Sequence, residues 1–162
     1  MIFILKPSGD GSEDVIRRYE DKLNIRVIIQ ERGHAIDAYD MGIREADGDL
    51  LLFIDDDAVP HEDWVRRYIE LFSKLADAGA IGGLSYKAYL INGEIKLTNE
   101  SLFGNESTKN VFYRKPLKEL YDYCRWLSIS GFPGSRPCIS PVMKSVLLNG
   151  MNMGFKSEAL KG

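Results

Sequence analysis

The chain has few of the residues that build disulfide frameworks, zinc sites or membrane spans. Its 162 residues include two cysteines and two histidines, and the spacing of Cys124 and Cys138 matches neither a zinc site nor a disulfide framework. We therefore expect reduced thiols in a cytoplasmic setting. No apolar run approaches the roughly 20 residues that cross a bilayer, and Met1 to Leu5 is too short for the apolar part of a signal peptide.

The chain also lacks an excess of charge of either sign. Its 21 basic residues stand against 24 acidic ones, so no broad attraction to nucleic acid or to an anionic membrane is expected. This balance favours a small molecule as the partner. The length suits one domain with a hydrophobic core, and we predict a single domain over residues 1–162.

Short apolar runs alternate with helix-like stripes in the first half of the chain. We predict strands at 2–5, 25–29, 50–54 and 80–84, and helices over 12–23, 33–46 and 61–75. Ser12 is predicted to cap the first of these helices. Trp64 lies at helical spacing with other apolar residues, which predicts packing rather than sugar stacking. The alternation is typical of an α/β layer fold.

The alternation weakens after Ser85. The stretches 86–90 and 94–97 flank Asn92-Gly93 and predict a hairpin laid against the sheet. Beyond it we predict an amphipathic helix from Leu117 to Leu127 that includes Tyr121 and Trp126, an irregular loop over 128–141, and weak strands at 146–148 and 151–155. Ser157 is predicted to cap a helix that the chain ends before building.

Three consecutive carboxylates, Asp55, Asp56 and Asp57, directly follow the apolar run 50–54. So short a run, without polar alternation, predicts a strand buried on both faces, and ligands collect where such strands end. Three acids there repel one another by roughly 3 kcal/mol per pair at about 5 Å and an effective dielectric near 20. A divalent cation, or protonation of one acid, would relieve this repulsion.

A hard cation such as Mg²⁺ or Mn²⁺ needs only one or two protein carboxylates when a phosphate supplies other oxygen ligands. Because side chains alternate along a strand, Asp55 and Asp57 are predicted to share a face while Asp56 points elsewhere. The alternative interpretation is a solvated acidic turn before the helix that starts near His61, where negative charge suits the helix dipole.

Several short motifs occur in one particular order. They are Asp10-Gly11-Ser12, Gly33 followed by Ala38, Ala46-Asp47-Gly48-Asp49 leading into Phe53-Ile54-Asp55-Asp56-Asp57, Gly79-Ala80-Ile81-Gly82-Gly83, and Asn149-Gly150-Met151-Asn152-Met153-Gly154-Phe155-Lys156. In this order and spacing, most of the chain resembles the family 2 glycosyltransferases of the GT-A fold. The resemblance implies an α/β, Rossmann-like layered fold with a mostly parallel central sheet flanked by helices.

The resemblance also implies an activity. It is the inverting transfer of a sugar from a nucleotide-diphosphate donor to a hydroxyl of a glycan, lipid or other acceptor, with Mn²⁺ or Mg²⁺ as the cofactor. The implied metal ligands are Asp57 and Asp55, and the implied donor-binding residues are Asp10, Gly33 and Asp37 near the nucleotide, Asp55 and Asp56 at the ribose, and Gly82, Gly83 and Asn152 at the sugar. For the glycines, ordinary turn or packing geometry is the alternative.

The chain departs from the family pattern at several points. A strand and helix that usually precede the position of Ile2 are missing, a common acid falls near Lys6, and a common arginine falls at Tyr39. The carboxylate base of an inverting transfer normally lies past the Asn152 segment. Beyond Asp122 the sole acid is Glu158, which is expected in a first helical turn for dipole reasons.

These departures lead us to expect a catalytic domain truncated at both ends, with its base beyond Gly162. Any membrane contact, at the cytoplasmic face, would then be made through missing segments. A nucleotide-sugar binding fragment without turnover is one alternative. Another is a haloacid dehalogenase-like phosphatase, whose first strand also ends in Asp-x-Asp, although that family's later acidic pair has no counterpart because no aspartate follows Asp122.

Overall fold

The computed structural model describes residues 1–101, 123–127, 133–135 and 142–161. These residues form a mixed α/β structure, as predicted. The strands are β1 (Ile2–Leu5), β2 (Arg26–Ile29), β3 (Leu50–Phe53), β4 (Ala80–Gly82), β5 (Tyr86–Ile91), β6 (Glu94–Ser101), β7 (Arg125–Leu127), β8 (Pro133–Ser135) and β9 (Met153–Lys156). The helices are α1 (Ser12–Arg17), α2 (Ala35–Glu45), α3 (Trp64–Lys74) and α4 (Ser157–Lys161).

The chain divides into two compact units. Residues 1–51 with 156–162 form the first unit, and residues 52–155 form the second. In the first unit β1 and β2 pair in parallel, in register from Ile2 opposite Arg26 to Leu5 opposite Ile29, and α2 contacts β1. Because the strands are parallel, the loops that follow them leave the same edge of the pair, which is where ligands collect in such sheets.

Helix α1 is shorter than the sequence predicts. It ends at Arg17, and its N-cap is Gly11 with φ 82°, not Ser12. The apolar stripe that predicted a helix to residue 23 is exposed, with Val15 at 51%, Tyr19 at 49% and Leu23 at 45%. Most of the stability of a protein helix comes from burying such a stripe, so its exposure explains the early end.

The second unit contains most of a three-stranded sheet in the order β3-β9-β4. Strands β4 and β9 are antiparallel, with Ile81 opposite Gly154, and Tyr68 and Phe72 of α3 are buried core residues. The hairpin pair and the β7–β8 pair are also antiparallel. A mostly parallel central sheet is therefore not confirmed, because long-range pairing places β9 between β3 and β4.

The predicted hairpin is confirmed. Strands β5 and β6 pair through a turn in which Asn92 and Gly93 both have positive φ, 54° and 82°, as a two-residue type I′ turn requires. All six residues of β5 are exposed, as is Leu97 of β6 at 77%. The expectation that the hairpin lies against the sheet is therefore wrong, since a packed face would bury alternate residues.

The helix predicted up to Leu127 is wrong at its C-terminal end. Arg125–Leu127 is strand β7, which pairs with Pro133–Ser135 inside the predicted irregular loop, so cross-strand pairing overrides the helical spacing. Residues 102–122, with Tyr121, and Cys138 lie outside the described residues, while Cys124 is buried.

The last part of the chain follows the prediction only in part. Residues 146–148 are not a strand, and β9 starts two residues later than expected. The expectation that the chain ends before building the last helix is wrong, because α4 forms over Ser157–Lys161 with Ser157 as its first residue and Glu158 in its first turn. None of the helices in the described ranges has the length and hydrophobicity needed to cross a bilayer.

Candidate functional site

A cleft of about 420 Å³ opens in the first unit where β1 ends. Residues 5–14 and Ile29 line it. Within it, Oδ1 of Asp10 accepts hydrogen bonds from the hydroxyl of Ser12 at 2.7 Å and from the Ser12 backbone N–H at 3.0 Å. These bonds, led by that of the hydroxyl, lower the pKa of Asp10 to about 2. The cleft thus holds a carboxylate that is charged at neutral pH and can accept hydrogen bonds from a ligand.

Gly33 and Asp37 meet at the start of α2. Oδ2 of Asp37 accepts the backbone N–H of His34 at 2.6 Å, and a Cβ at Gly33 would lie 2.6 Å from the same oxygen. Gly33 also has φ 102°, so both its conformation and its crowding require glycine. Because Nζ of Lys6, a residue of the cleft lining, lies 3.5 Å from the carbonyl oxygen of Gly33, this helix start adjoins the cleft.

The three carboxylates of the second unit lie in a turn. Strand β3 ends at Phe53, and the N–H of Ala58 donates to the carbonyl oxygen of Asp55 at 3.2 Å. We call residues 55–58 the acidic turn. Asp55 is half-buried, whereas Asp56 and Asp57 are exposed. Since the strand stops before the acids, strand alternation does not set their directions, and that argument for a shared face of Asp55 and Asp57 is wrong.

The acidic turn offers three carboxylates as side-chain ligands. No group of three or more His, Cys, Asp or Glu side chains in the described part of the chain is arranged to hold a metal ion. An oxygen-only set suits Mg²⁺ or Mn²⁺, which keep several water molecules and take phosphate oxygens alongside one or two carboxylates. The residues therefore fit a cation shared with a ligand, and not one enclosed by protein.

Gly82 and Gly83 lie at the end of β4 with their own chain packed against them. A Cβ at Gly82 would lie 2.9 Å from Cδ2 of Leu148, and a Cβ at Gly83 would lie 2.3 Å from Nδ2 of Asn152. Close packing inside the second unit thus explains why both positions are glycine, independently of any role beside a ligand.

The amide of Asn152 is at the centre of a hydrogen-bond cluster that sequence reasoning missed. Its Oδ1 accepts bonds from Nε1 of Trp64 and from the hydroxyl of Tyr68, both at 2.9 Å, and its Nδ2 donates to the carbonyl oxygen of Leu84 at 3.0 Å. The rings of Trp64 and Tyr68 pack edge to face with centroids 5.6 Å apart, which confirms Trp64 as a packing residue. In the sequence, the signal was only their spacing on one face of α3.

The structure divides the predicted site residues between the two units. Asp10, Gly33 and Asp37 belong to the first, and Asp55, Asp56, Asp57, Gly82, Gly83 and Asn152 belong to the second. Glu158 is exposed in the first turn of α4, the position expected from the helix dipole.

Comparison with known proteins decides the family. The family model described as glycosyl transferase family 2 matches residues 1–132. The chain belongs to glycosyl transferase family 2. This membership makes it part of a transferase family, confirms the resemblance found in the sequence and decides against the phosphatase alternative.

One curated relative of this family 2 chain is a hyaluronan synthase of Pasteurella multocida. The two are 30% identical over 128 residues, and the match covers 66% of this chain and 13% of the synthase. The chain thus spans a small part of that relative's length. No solved structure gives a significant match.

Proposed function

We propose that residues 1–162 belong to one GT-A domain of an inverting, metal-dependent glycosyltransferase, which moves a sugar from a nucleotide-diphosphate donor to a hydroxyl of a glycan or lipid acceptor in the cytoplasm. The observation that carries this proposal is the acidic turn at the end of β3 in a family 2 chain. Nucleic acid is not a partner in this proposal, because the net charge is slightly negative, −3. A donor-binding fragment without turnover is the second candidate.

The charges of the acidic turn explain why a cation belongs to the proposal. A diphosphate is anionic, and so are Asp55, Asp56 and Asp57, so direct contact would be repulsive by roughly 3 kcal/mol per pair of charges at about 5 Å. Asp55 and Asp57 would hold Mn²⁺ or Mg²⁺. When bound, the cation would neutralise charge on the departing diphosphate. Asp56 is exposed, and its carboxylate would accept a hydrogen bond from a ribose hydroxyl.

The other proposed contacts follow from what each residue can donate or accept. Asp10 would accept hydrogen bonds from the nucleotide, since its carboxylate stays charged at neutral pH. Gly33 and Asp37 would border the nucleotide, with Asp37 also holding the start of α2. Gly82, Gly83 and Asn152 would border the donor sugar. No residue in the described part of the chain is proposed as the catalytic base, so donor binding is a sharper test than turnover.

The test is calorimetric titration of UDP and of GDP, with and without Mn²⁺. We expect one of the two nucleotides to bind only with Mn²⁺, and Asp57→Asn to weaken that binding at least tenfold, about 1.4 kcal/mol. Glu62→Gln is the matched control, because it removes an exposed charge five residues further along the chain. Binding that ignores Mn²⁺, equal losses in both variants, or no binding of either nucleotide would contradict the proposal.

A further inference from the structure

The elements before and after the acidic turn, β3 and α3, both contact one stretch of the second unit. This stretch is residues 152–155, the end of the loop before β9 and the first part of that strand; we call it the platform. Before the turn, β3 packs on the platform, and after the turn, α3 is bonded to it. The acidic turn is therefore held between two attachments to the same four residues.

On the β3 side the attachment is packing. The rings of Phe53 and Phe155 meet edge to face with centroids 5.8 Å apart. Gly154 is buried, and a Cβ there would lie 2.7 Å from Leu52 and 2.8 Å from the ring of Tyr68. Because Gly154 has no side chain, both β3 and α3 approach the platform closely.

On the α3 side the attachment is the pair of hydrogen bonds from Trp64 and Tyr68 to Oδ1 of Asn152. Tyr68 is 4% exposed, and burial raises the pKa of its hydroxyl to about 12, so this hydroxyl remains a neutral donor at any ordinary pH. Two donors on one side and the Leu84 carbonyl on the other fix which end of the amide is the oxygen.

Asn152 has little hydrogen-bonding capacity left for a ligand. Both lone pairs of Oδ1 are used, one Nδ2 hydrogen goes to Leu84, its backbone carbonyl accepts the N–H of Gly83 at 3.0 Å, and its own N–H donates to Asn149 at 3.0 Å. The same residue thereby links α3 to the segment that follows β4.

We propose that Asn152 is a positioning residue: through Trp64 and Tyr68 it fixes the start of α3, and with it the acidic turn, relative to Gly83 and Leu84. This inference rests on the proposed function, which assigns the acidic turn to the metal and the donor. In this proposal the Asn152 side chain does not bind the sugar directly. It holds in place the residues that bind the donor.

The test compares UDP or GDP affinity at saturating Mn²⁺ among variants, at a temperature where circular dichroism shows each to be folded. Tyr68→Phe and Trp64→Phe each remove one donor to Asn152 and should weaken binding severalfold, whereas the control Tyr89→Phe, on the exposed hairpin, should not. Asn152→Ala should weaken binding at least tenfold. Asn152→Asp keeps an acceptor for both donors but puts a carboxylate oxygen where Nδ2 donates to the Leu84 carbonyl, so it should recover only part of the affinity that Asn152→Ala loses.

A second readout does not depend on donor binding. The indole N–H resonance of Trp64, assigned with Trp126→Phe, should shift in Asn152→Ala and return towards its original position in Asn152→Asp. Unchanged affinity in the Trp64 and Tyr68 variants would overturn the positioning role. Failure of the unmodified chain to bind either nucleotide would instead overturn the proposed function, while an unmoved indole resonance would overturn the cluster itself.

Discussion

The two compact units hold their candidate site residues in different ways. In the first unit, Asp10 is fixed by Ser12, two residues away, and Asp37 by His34, three residues away. In the second unit, Trp64 and Tyr68 bond to Asn152 across 88 and 84 positions. The local contacts of the first unit shape a loop and a helix start, whereas the distant contacts of the second unit join separate elements. A substitution in the second unit should therefore affect the acidic turn, and a substitution in the first unit should have only local effects.

The largest expected effect is that of Gly154→Ala. Its new Cβ would meet Leu52 and Tyr68 at less than 3 Å, and overpacking of this kind costs about 2 kcal/mol. Urea denaturation should show this loss in the free energy of unfolding, together with weaker UDP or GDP binding in the presence of Mn²⁺.

Gly42→Ala, in α2 of the first unit, is the matched control. Its Cβ would lie 3.9 Å from Ile4, an ordinary contact, and alanine favours a helix interior over glycine by about 1 kcal/mol. The same substitution should therefore stabilise one unit and destabilise the other. Equal effects at the two glycines would remove the distinction between the units.

Asp37→Ala should have a smaller effect, confined to the start of α2. The variant loses the hydrogen bond from the backbone N–H of His34, and loss of a capping interaction costs about 1 kcal/mol. Hydrogen exchange should accelerate at the first turn of α2. Asp40→Ala loses an exposed ion pair with Arg44 and should lower the free energy of unfolding by only about 0.3 kcal/mol. A similar loss in both variants would contradict the capping role.

The smallest change concerns the charge of Asp10. Its folded pKa of about 2 lies below the 3.8 of an ordinary aspartate, so its bonds to Ser12 favour the folded state above about pH 3.9 and lose that effect as the pH falls through about 2. Ser12→Ala removes the leading cause and should raise the pKa towards 3.8, as a carboxyl NMR titration would show. Ser8→Ala removes a lesser cause and should raise it less; the reverse order would contradict the assignment.

The sequence predicts the features that depend on local contacts. The turn at Asn92-Gly93 and the place of Glu158 in the first turn of α4 depend on neighbouring residues, and local pattern predicts them. The run of acids after β3 was likewise visible as a candidate site, because it needs no partner elsewhere in the sequence.

What the sequence could not predict depends on distant partners. The helical spacing around Leu127 gave no sign that Arg125–Leu127 would pair with Pro133–Ser135. The stripe of α1 predicted a longer helix because spacing does not say whether a face will be covered. The family resemblance places Asn152 at the donor sugar, and nothing in its sequence neighbourhood shows that Trp64 and Tyr68 use its oxygen.

Whether the acidic turn holds a divalent cation beside the donor can be measured by paramagnetic broadening by Mn²⁺ in amide NMR spectra of the chain with UDP or GDP present. We expect the resonances of Asp55, Asp56, Asp57 and Ala58 to broaden first, and Asp57→Asn to abolish this selectivity while Glu62→Gln keeps it. Broadening centred on other acids, or equal broadening in both variants, would contradict the claim.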